Sequence, residues 1–343
     1  PPTGEPYGGW EDAAKGGWPD PSTPTRTLRG HFVGHVLSAL ALGFAAGGDE
    51  RLATRAAHLV GELRRCQLAL ATGFVSAWPA SVLDALEAGR LSEVWAPYYT
   101  LHKILQGFLD VHTLVLAKRG DGSALAAAAD LGSYLSRRVS GIIAHHGDDW
   151  WQALLEVEFG GIAQSAYQLR DLLAPTNASA AALALDLARA FRKRRFIEPL
   201  AAGHDILGGL HANTHLPTIV AAAAAVDAEA ADAGEGDAAR AAEGLRASVQ
   251  AYCTLQLGYA YAGTAGSSVN EHWPRRAAST GAAYRTTFAP PDVEDVDAGG
   301  CGDLADAGAC ERSPEFMRAH CAATCAAEAA ATRGGGESGG GES

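Results

Sequence analysis

Pairs of amphipathic helices recur along most of this 343-residue chain, and no other feature restricts its fold as strongly. Apolar residues return every three or four positions, which is the helical period, whereas alternating, β-branched runs are almost absent. Glycine-rich turns separate the helices. The four predicted pairs cover residues 28–63, 94–139, 161–196 and 212–257. We therefore predict an all-α fold.

Repeated helical hairpins can build either a solenoid or a closed double ring, the α/α toroid. The starts of alternate helices favour the toroid, because they carry Trp, Tyr, His, Glu and Gly, whereas the other ends carry plain polar turns such as Gly47-Gly48-Asp49. Polar and aromatic loops gathered at one end are typical of a pocket at the mouth of a ring. These helix starts read RGHFVGH, APYYTLHK, EFGG and GLHANTH.

The stretch 94–110, VWAPYYTLHKILQGFLD, combines an aromatic entry with an amphipathic helix. Thr100 is predicted to cap this helix, because its hydroxyl can accept a hydrogen bond from an unpaired amide. His102 stands in the first turn near Leu105 and Leu109, which are on the apolar face. We therefore expect the imidazole to point inward.

Several other side chains are assigned to the core from the same period. Cys66 and Cys253 each lie within a predicted helix, far from the other cysteines, and are interpreted as ordinary core residues. Asp49 is predicted to cap the second helix. The predicted buried face of the first helix contains Leu28, Phe32, Val36 and Leu40.

The composition argues against two classes of partner. The formal net charge is -12, and the one dense basic block, Arg192 to Arg195, is predicted at a helix end. Nucleic acid is therefore not expected as a partner. No run of about 18 strongly apolar residues occurs, so no membrane span is predicted.

Changes of pattern divide the chain into four segments. The beginning is rich in Gly, Pro and Trp, and its apolar residues show no helical period. The last part of the helical domain, 258–289, also lacks this period and is predicted to be a loop. The end is a Gly/Glu/Ser repeat that is typical of disorder. The assigned segments are an extended lead-in (1–27), a helical domain (28–289), a cysteine module (290–328) and a disordered tail (329–343).

Two histidine pairs fall at the polar helix starts. His31 and His35 are four residues apart and share a helix face, and His211 and His215 repeat the spacing. Such pairs can bind a metal ion, but neither has a specified third ligand. Packing or substrate contact is therefore the favoured interpretation, and no metal site is predicted.

Glu271 lies in a predicted loop beside His272 and Trp273. A carboxylic acid next to aromatic and imidazole groups can serve as general acid to a leaving oxygen, and a solvated loop glutamate is the alternative. Trp and Tyr suit stacking on a sugar ring, and His, Glu and Asn suit its hydroxyls, so carbohydrate is the favoured substrate class. The candidate site residues are His31, His35, Tyr99, His102, Glu158, His211, Asn213, Glu271 and His272.

An ordered series of motifs resembles glycoside hydrolase family 127, the β-L-arabinofuranosidase-like family. The resemblance spans about residues 8–273 and implies an α/α toroid catalytic domain that acts on arabinose-containing glycans. Eight helices are too few for a ring of six hairpins, so the resemblance implies the front part of such a domain. The motifs are GGWE at Gly8, LRGHFVGHVLSALAL at Leu28, VWAPYYTLHKILQGFLD at Val94, EVEFGGI at Glu156, AGHDILGGLHANTHLP at Ala202 and NEHW at Asn270.

The resemblance also assigns roles to individual residues. It implies that Glu271 is the acid/base residue, although Asn270 stands where the family has glycine. It implies that His102 and His211 contact the sugar. Glu158 and the segment with His31 and His35 would line the same pocket.

One part of the family pattern is not found in this sequence. The family uses a zinc-bound cysteine thiolate as nucleophile, held by a Glu-x-Cys segment and a later Cys-Cys pair. After Trp273 the next cysteine is Cys301, and neither segment occurs. We therefore expect no zinc ligands in this chain. Two functions stay open, a glycoside hydrolase and a non-catalytic carbohydrate-binding protein, whereas a helical interaction scaffold does not explain the clustered His, Trp and Tyr residues.

The segment CGDLADAGACERSPEFMRAHCAATC resembles the ShKT cysteine module. The resemblance implies the disulfides Cys301–Cys321 and Cys310–Cys325, although four cysteines alone allow three pairings. Channel-blocking members carry a Lys-Tyr pair where this chain has Glu315-Phe316, so a toxin role is not expected. An accessory module for attachment to matrix or glycan is favoured.

Two features indicate that the protein is secreted. Four clustered cysteines favour disulfides and hence an oxidising compartment. Asn177-Ala178-Ser179 is a sequon for N-glycosylation. No signal peptide is seen in the sequence.

Overall fold

The computed structural model describes residues 28–90, 94, 96–156, 159–207, 212–232, 237–256, 259–261 and 272–274. Helices dominate this part of the chain, which confirms the all-α prediction. A π-helical turn (His112–Leu116) and a 3-10 turn (Ala117–Arg119) continue the fourth α-helix. The α-helices in the described residues are α1 (His31–Gly47), α2 (Glu50–Leu70), α3 (Ser81–Glu87), α4 (Pro97–Val111), α5 (Ser123–His146), α6 (Asp148–Leu154), α7 (Ile162–Leu173), α8 (Ala178–Ala190), α9 (Arg194–Ala201), α10 (Ala212–Asp232) and α11 (Asp237–Gln256).

Four helical hairpins, α1/α2, α4/α5, α7/α8 and α10/α11, form two layers. In the first layer, α1, α4, α7 and α10 pack side by side in sequence order. In the second layer, α2 packs on α5 and α5 on α8, while the short helices α3, α6 and α9 lie in the connections between hairpins. This two-layer arrangement of hairpins is that of an α/α toroid. Within the described residues α1 and α10 share no extended contact, so the hairpins form an arc.

The helix α4 lies at the centre of the first layer, between α1 and α7. Leu101, Leu105 and Phe108 on this helix are fully buried, and His102 points inward as predicted. Truncating a buried phenylalanine such as Phe108 to alanine costs about 3–5 kcal/mol, because a cavity is left behind. α4 is therefore the element on which the neighbouring hairpins are positioned.

The prediction that Thr100 caps α4 is wrong. The helix begins at Pro97, whose fixed φ and missing N–H suit the first helical position. Thr100 consequently lies within the first turn, where its hydroxyl is buried and has no hydrogen-bond partner in the structure as described. Asp49, in contrast, caps α2 as predicted, by accepting a hydrogen bond from the N–H of Arg51 at 2.9 Å.

Glycine allows α1 and α4 to cross at close range. A Cβ atom added to Gly34 would lie 2.1 Å from the carbonyl oxygen of Lys103, and a Cβ atom added to Gly107 would lie 2.9 Å from the carbonyl oxygen of Gly34. Both distances are shorter than atomic contact allows, so a larger residue at either position would push the helices apart. The crossing therefore fixes the spacing between the N-terminal part of α1 and the middle of α4.

The predicted buried face of α1 is also wrong. Phe32 is 50% exposed, and the residues that face the core are Gly34, Leu37 and Ala41, together with His31. α1 is apolar on almost every side, so the helical period does not single out one face. The close crossing with α4 decides the orientation, because a small residue must lie at the contact.

Three further expectations are corrected by the structure. The predicted helix over 178–196 is interrupted: α8 ends at Ala190, and α9 begins at Arg194. The predicted loop over 258–289 contains two short strands, β1 (Tyr259–Tyr261) and β2 (His272–Pro274), which pair antiparallel. Cys66 and Cys253 are exposed free thiols rather than core residues. None of the helices in the described ranges is long and apolar enough to cross a membrane.

Candidate functional site

The N-terminal ends of the first-layer helices lie at one end of the arc, which we call the rim. Each first-layer helix is followed by a helix that returns in the opposite direction, so successive first-layer helices run parallel. Residues of neighbouring helices meet there: His31 of α1 contacts Tyr99 of α4, and His102 of α4 contacts the backbone of Gly161, directly before α7. The polar helix starts found in the sequence therefore converge at the rim.

His31, His35 and Tyr99 form a group of rings where α1 meets α4. The ring centroids of His31 and His35 are 5.8 Å apart, and those of His31 and Tyr99 are 5.7 Å apart. His31 is buried, and its Nδ1 donates a hydrogen bond to the carbonyl oxygen of Leu28 at 2.6 Å, which fixes the ring plane. The ammonium of Lys103 lies 4.6 Å from the Tyr99 ring centroid, within the range of a cation–π contact.

His102 packs directly on the two glycines of the EFGG motif. A Cβ atom on Gly160 would lie 2.6 Å from Nδ1 of His102, and a Cβ atom on Gly161 would lie 3.2 Å from Nε2. Gly160 also has φ of +64°, in the left-handed region that disfavours other residues. The two glycines therefore let the start of α7 approach the imidazole, which explains their place in the motif.

The protonation state of His102 follows from its surroundings. The N–H of Gly161 donates to Nδ1 of His102 at 3.2 Å, so the neutral ring carries its proton on Nε2. Burial, followed by the nearby Lys103 and His35, lowers the pKa of His102 well below its usual value. Nε2 has no partner in the described part of the chain, and its N–H is oriented by the bond on the other side of the ring. His102 can thus donate one hydrogen bond to a ligand at neutral pH.

A polar group below His102 ties α4 to α7. Ser165 Oγ donates to Oε1 of Gln106 at 2.7 Å. The amide of Gln106 donates in turn to Oδ1 of Asp110 at 2.8 Å and to Oε1 of Gln168 at 3.2 Å. These bonds satisfy buried polar atoms and hold the two helices in register. They help to keep His102 and the glycines of α7 in contact.

Glu156, Lys193 and His215 form a second polar group at the rim. Nζ of Lys193 lies 2.6 Å from Oε2 of Glu156 and 3.1 Å from Nε2 of His215. Lys193 forms an ion pair with Glu156 and donates to His215, so the Nε2 atom of His215 acts as an acceptor. Glu156 precedes α7, Lys193 lies between α8 and α9, and His215 is in the first turn of α10. The group therefore links the connection before α7, the connection after α8 and the start of α10. It was missed in the sequence because Lys193 lies in a basic run that indicates only a helix end.

The backbone around Lys193 is held by α6. The Gln152 amide donates to the carbonyl oxygen of Arg192 at 3.2 Å, and its oxygen accepts from the N–H of Arg194 at 2.9 Å. Trp151 Nε1 donates to the carbonyl oxygen of Ala190 at 2.6 Å. Bonds on both sides of Lys193 thus hold the connection between α8 and α9 in place.

An aromatic cluster supports the segment that leads into α7. The ring of Phe191 lies 4.9 Å from that of Tyr98, 5.2 Å from that of Trp151 and 5.6 Å from that of Phe159, measured between centroids. Phe159 comes directly before Gly160. The cluster therefore packs α4, α6 and the end of α8 against the residues that contact His102.

The structure brings four of the predicted site residues together, namely His31, His35, Tyr99 and His102. Asn213 lies in α10 and His272 in β2, and their side chains lie outside the described part of the structure. Glu158, His211 and Glu271 lie outside the described residues, as do Cys301, Cys310, Cys321 and Cys325.

The strands place the NEHW motif with respect to the rim. α11 returns antiparallel to α10, so its C-terminal end is at the rim, and β1 starts three residues beyond that end. β2 pairs with β1, with His272 opposite Tyr261. The strand that begins with His272 is thus connected to the rim side of the last described hairpin.

The described residues do not fit a zinc site. No group of three or more His, Cys, Asp or Glu side chains in them could hold a metal ion. Cys66 and Cys253, the cysteines that the structure describes, lie on the second-layer helices α2 and α11.

Fold and rim together define a helical-hairpin domain with a cluster of histidine and aromatic side chains at one end. The family profile described as "Beta-L-arabinofuranosidase, GH127 catalytic domain" matches residues 1–254, and the chain belongs to this glycoside hydrolase family. A second profile, described as "ShK domain-like", matches residues 294–327. A search of curated proteins gave no match.

Proposed function

We propose that the protein is a glycoside hydrolase that acts on β-L-arabinofuranosides in arabinose-containing glycans. The observation that carries this proposal is His102, a neutral, buried donor at the rim of a domain of this family, held by the EFGG backbone. A sugar hydroxyl both donates and accepts hydrogen bonds, so it can accept from Nε2–H of His102. The rings of Tyr99 and His31 offer the apolar surface that a furanose face requires.

Glu271 is proposed as the general acid that protonates the leaving oxygen. It directly precedes β2, and the strand pair follows the rim end of α11, which supports a position at the pocket. His211 and Asn213 are proposed as further sugar contacts, because α10 begins beside them at the same end. Glu158 and His272 are proposed to line the same pocket, since they adjoin the start of α7 and Glu271 in the sequence.

A non-catalytic carbohydrate-binding protein is the second candidate. The observation that favours it is that Cys66 and Cys253 lie on α2 and α11, and not on the first-layer helices whose starts carry the rim histidines. A pocket that keeps its hydrogen-bonding groups but has no thiolate nucleophile would bind the sugar without cleaving it.

Turnover of an aryl β-L-arabinofuranoside separates the two candidates. The full chain is assayed with added zinc and after chelation, and sugar binding is measured by calorimetry in parallel. Hydrolysis that falls by about a hundredfold or more in Glu271→Gln supports the enzyme, because a general acid contributes on that order. Binding without turnover supports the carbohydrate-binding protein. The absence of both would overturn the proposal.

We also propose that the protein is secreted and that its ShK-like module carries two disulfides. Four cysteines within residues 294–327 support this, since short modules of this kind are stabilised by disulfides in oxidising compartments. The sequon at Asn177 also supports it, because Asn177 lies on the surface at the start of α8. The module is proposed to attach the domain to matrix or glycan.

A further inference from the structure

A partly buried ion pair lies next to the start of α7, the helix whose first residues are close to His102. The side chain of Lys193 is only 2% exposed, and its ammonium bonds Glu156 and His215. Burying an ammonium group is costly unless it is paired, and apolar replacements of buried ion pairs are often equally stable or more stable. Stability alone therefore does not explain why Glu156 and Lys193 are charged.

The carboxylate of Glu156 has one bound oxygen and one free oxygen. Oε2 is fixed by Lys193, whereas Oε1 has no partner in the residues that the structure describes. The Glu156 side chain is 23% exposed, so it reaches the surface while Lys193 remains below it. The result is an oriented acceptor whose position is set by a cation that solvent does not reach.

Glu156 and His102 mark the two ends of the segment that leads into α7. Glu156 begins this segment, and Gly160 and Gly161 at its end pack on His102. His102 offers a donor, Nε2–H, and Glu156 offers an acceptor, Oε1. A polyol needs both kinds of partner, because each hydroxyl donates one hydrogen bond and accepts others.

We propose that Glu156 is a substrate-binding residue that accepts hydrogen bonds from sugar hydroxyls, and that Lys193 and His215 are positioning residues that hold its carboxylate. The proposal rests on the proposed function, since it names a further contact in the same pocket. It gives the charges of Glu156 and Lys193 a role in sugar recognition. Lys193, within the basic run Arg192 to Arg195, thereby has a functional role.

Calorimetric titration of methyl β-L-arabinofuranoside into the full chain tests the proposal. Glu156→Gln should weaken binding by about tenfold or more, because a charged acceptor is lost. Lys193→Met should weaken it similarly, since the carboxylate loses its anchor. Glu243→Gln is the matched control: Glu243 is 76% exposed on α11 and lies 3.8 Å from its partner Arg246, and its substitution should leave the affinity unchanged.

The double variant Glu156→Gln with Lys193→Met separates recognition from stability. Each single variant leaves one charge of the pair without its opposite charge, so its denaturation midpoint should fall, whereas the double variant removes both charges and should recover much of that loss. The affinity should stay weak in the double variant. Recovery of affinity together with stability would show a purely structural role and overturn the inference. If the unaltered chain binds no arabinofuranoside, the proposed function fails, and this inference fails with it.

Discussion

The backbone N–H of Gly161, directly before α7, donates to Nδ1 of His102, in the second turn of α4, at 3.2 Å. This bond joins neighbouring hairpins and fixes the tautomer of the histidine. The orientation of the proposed sugar donor therefore depends on a contact between two elements about 59 residues apart in the chain.

Replacement of Gly160 by alanine should disturb this contact. Gly160→Ala introduces a Cβ atom 2.6 Å from Nδ1 of His102, on a backbone with φ of +64°. Gly120→Ala is the matched control, because Gly120 has φ of +70° and nothing within 4 Å of the added atom. Both variants should lose about 1–2 kcal/mol from the left-handed backbone. Only Gly160→Ala should also weaken arabinofuranoside binding in calorimetry, and equal affinities would contradict the assigned position of His102.

The stability of the protein should depend on pH through His102. Burial, Lys103 and His35 hold its folded-state pKa well below 6.5, so below about pH 6.5 the unfolded state binds a proton that the folded state does not. Stability is therefore fully present above this pH and is lost as the pH falls towards the folded pKa, by up to about 1.4 kcal/mol per pH unit. In urea denaturation, the free energy of unfolding should fall less between pH 7.5 and pH 5.5 in His102→Gln than in the unaltered protein. An identical loss in both proteins would rule out this origin.

The crossing of α1 and α4 should tolerate no side chain at Gly34. Gly34→Ala places a Cβ atom 2.1 Å from the carbonyl oxygen of Lys103, so we expect a loss of about 1–3 kcal/mol as the helices separate. Gly61→Ala, on α2 with open space around the added atom, should instead stabilise by about 0.5–1 kcal/mol through helix propensity. Thermal or urea denaturation gives both values. Equal effects would show that the helices do not touch at Gly34.

Asn177 should carry a glycan when the protein passes through a eukaryotic secretory pathway. Its Oδ1 accepts from the N–H of Ala180 at 3.0 Å, and its amide nitrogen remains available for the sugar. Ser179→Ala should abolish the glycan and keep the helix cap, whereas Asn177→Ala should also lose about 1 kcal/mol of stability. Endoglycosidase treatment and mass spectrometry provide the measurement. Unmodified Asn177 in protein recovered from the medium would contradict the prediction.

The six cysteines should fall into two classes in the secreted protein. Cys66 and Cys253 are exposed free thiols and should react with iodoacetamide without reduction. Cys301, Cys310, Cys321 and Cys325 should react only after reduction, because we propose that they form two disulfides. Mass spectrometry of alkylated peptides counts each class and identifies the pairing. Alkylation of all six cysteines in unreduced protein would exclude the disulfides.

The helical architecture could be predicted because the apolar residues of each hairpin recur with a clear helical period. His102 points inward because the residues that follow it at helical spacing are apolar, and this relation is local in the sequence. The face of α1 could not be predicted in the same way. Phe32 and Leu37 are equally apolar, and the contact between Gly34 and Lys103, which belongs to another helix, decides which of them is buried.

The candidate site was predicted only in part, because the charge of a residue does not reveal whether its side chain is buried. The run at Arg192 to Arg195 resembles a helix end, yet Lys193 is buried by the Gln152 bonds to its neighbours and by its pairing with Glu156. Thr100 resembles a cap, yet Pro97 begins the helix earlier. The basic run does lie at helix ends as predicted, but contacts with residues distant in the chain bury one of its cations. For Thr100, a stronger local signal overrides the preference of a single side chain.

The order in which the first-layer helices pack has a consequence for biosynthesis. Each hairpin rests mainly on the hairpin that precedes it in the chain, so α4 can dock on α1, then α7 on α4, as each leaves the ribosome. The contact between His102 and Gly161 would then be complete once α7 has been synthesised. The group of Glu156, Lys193 and His215 would have to wait until translation reaches the first turn of α10, which supplies His215.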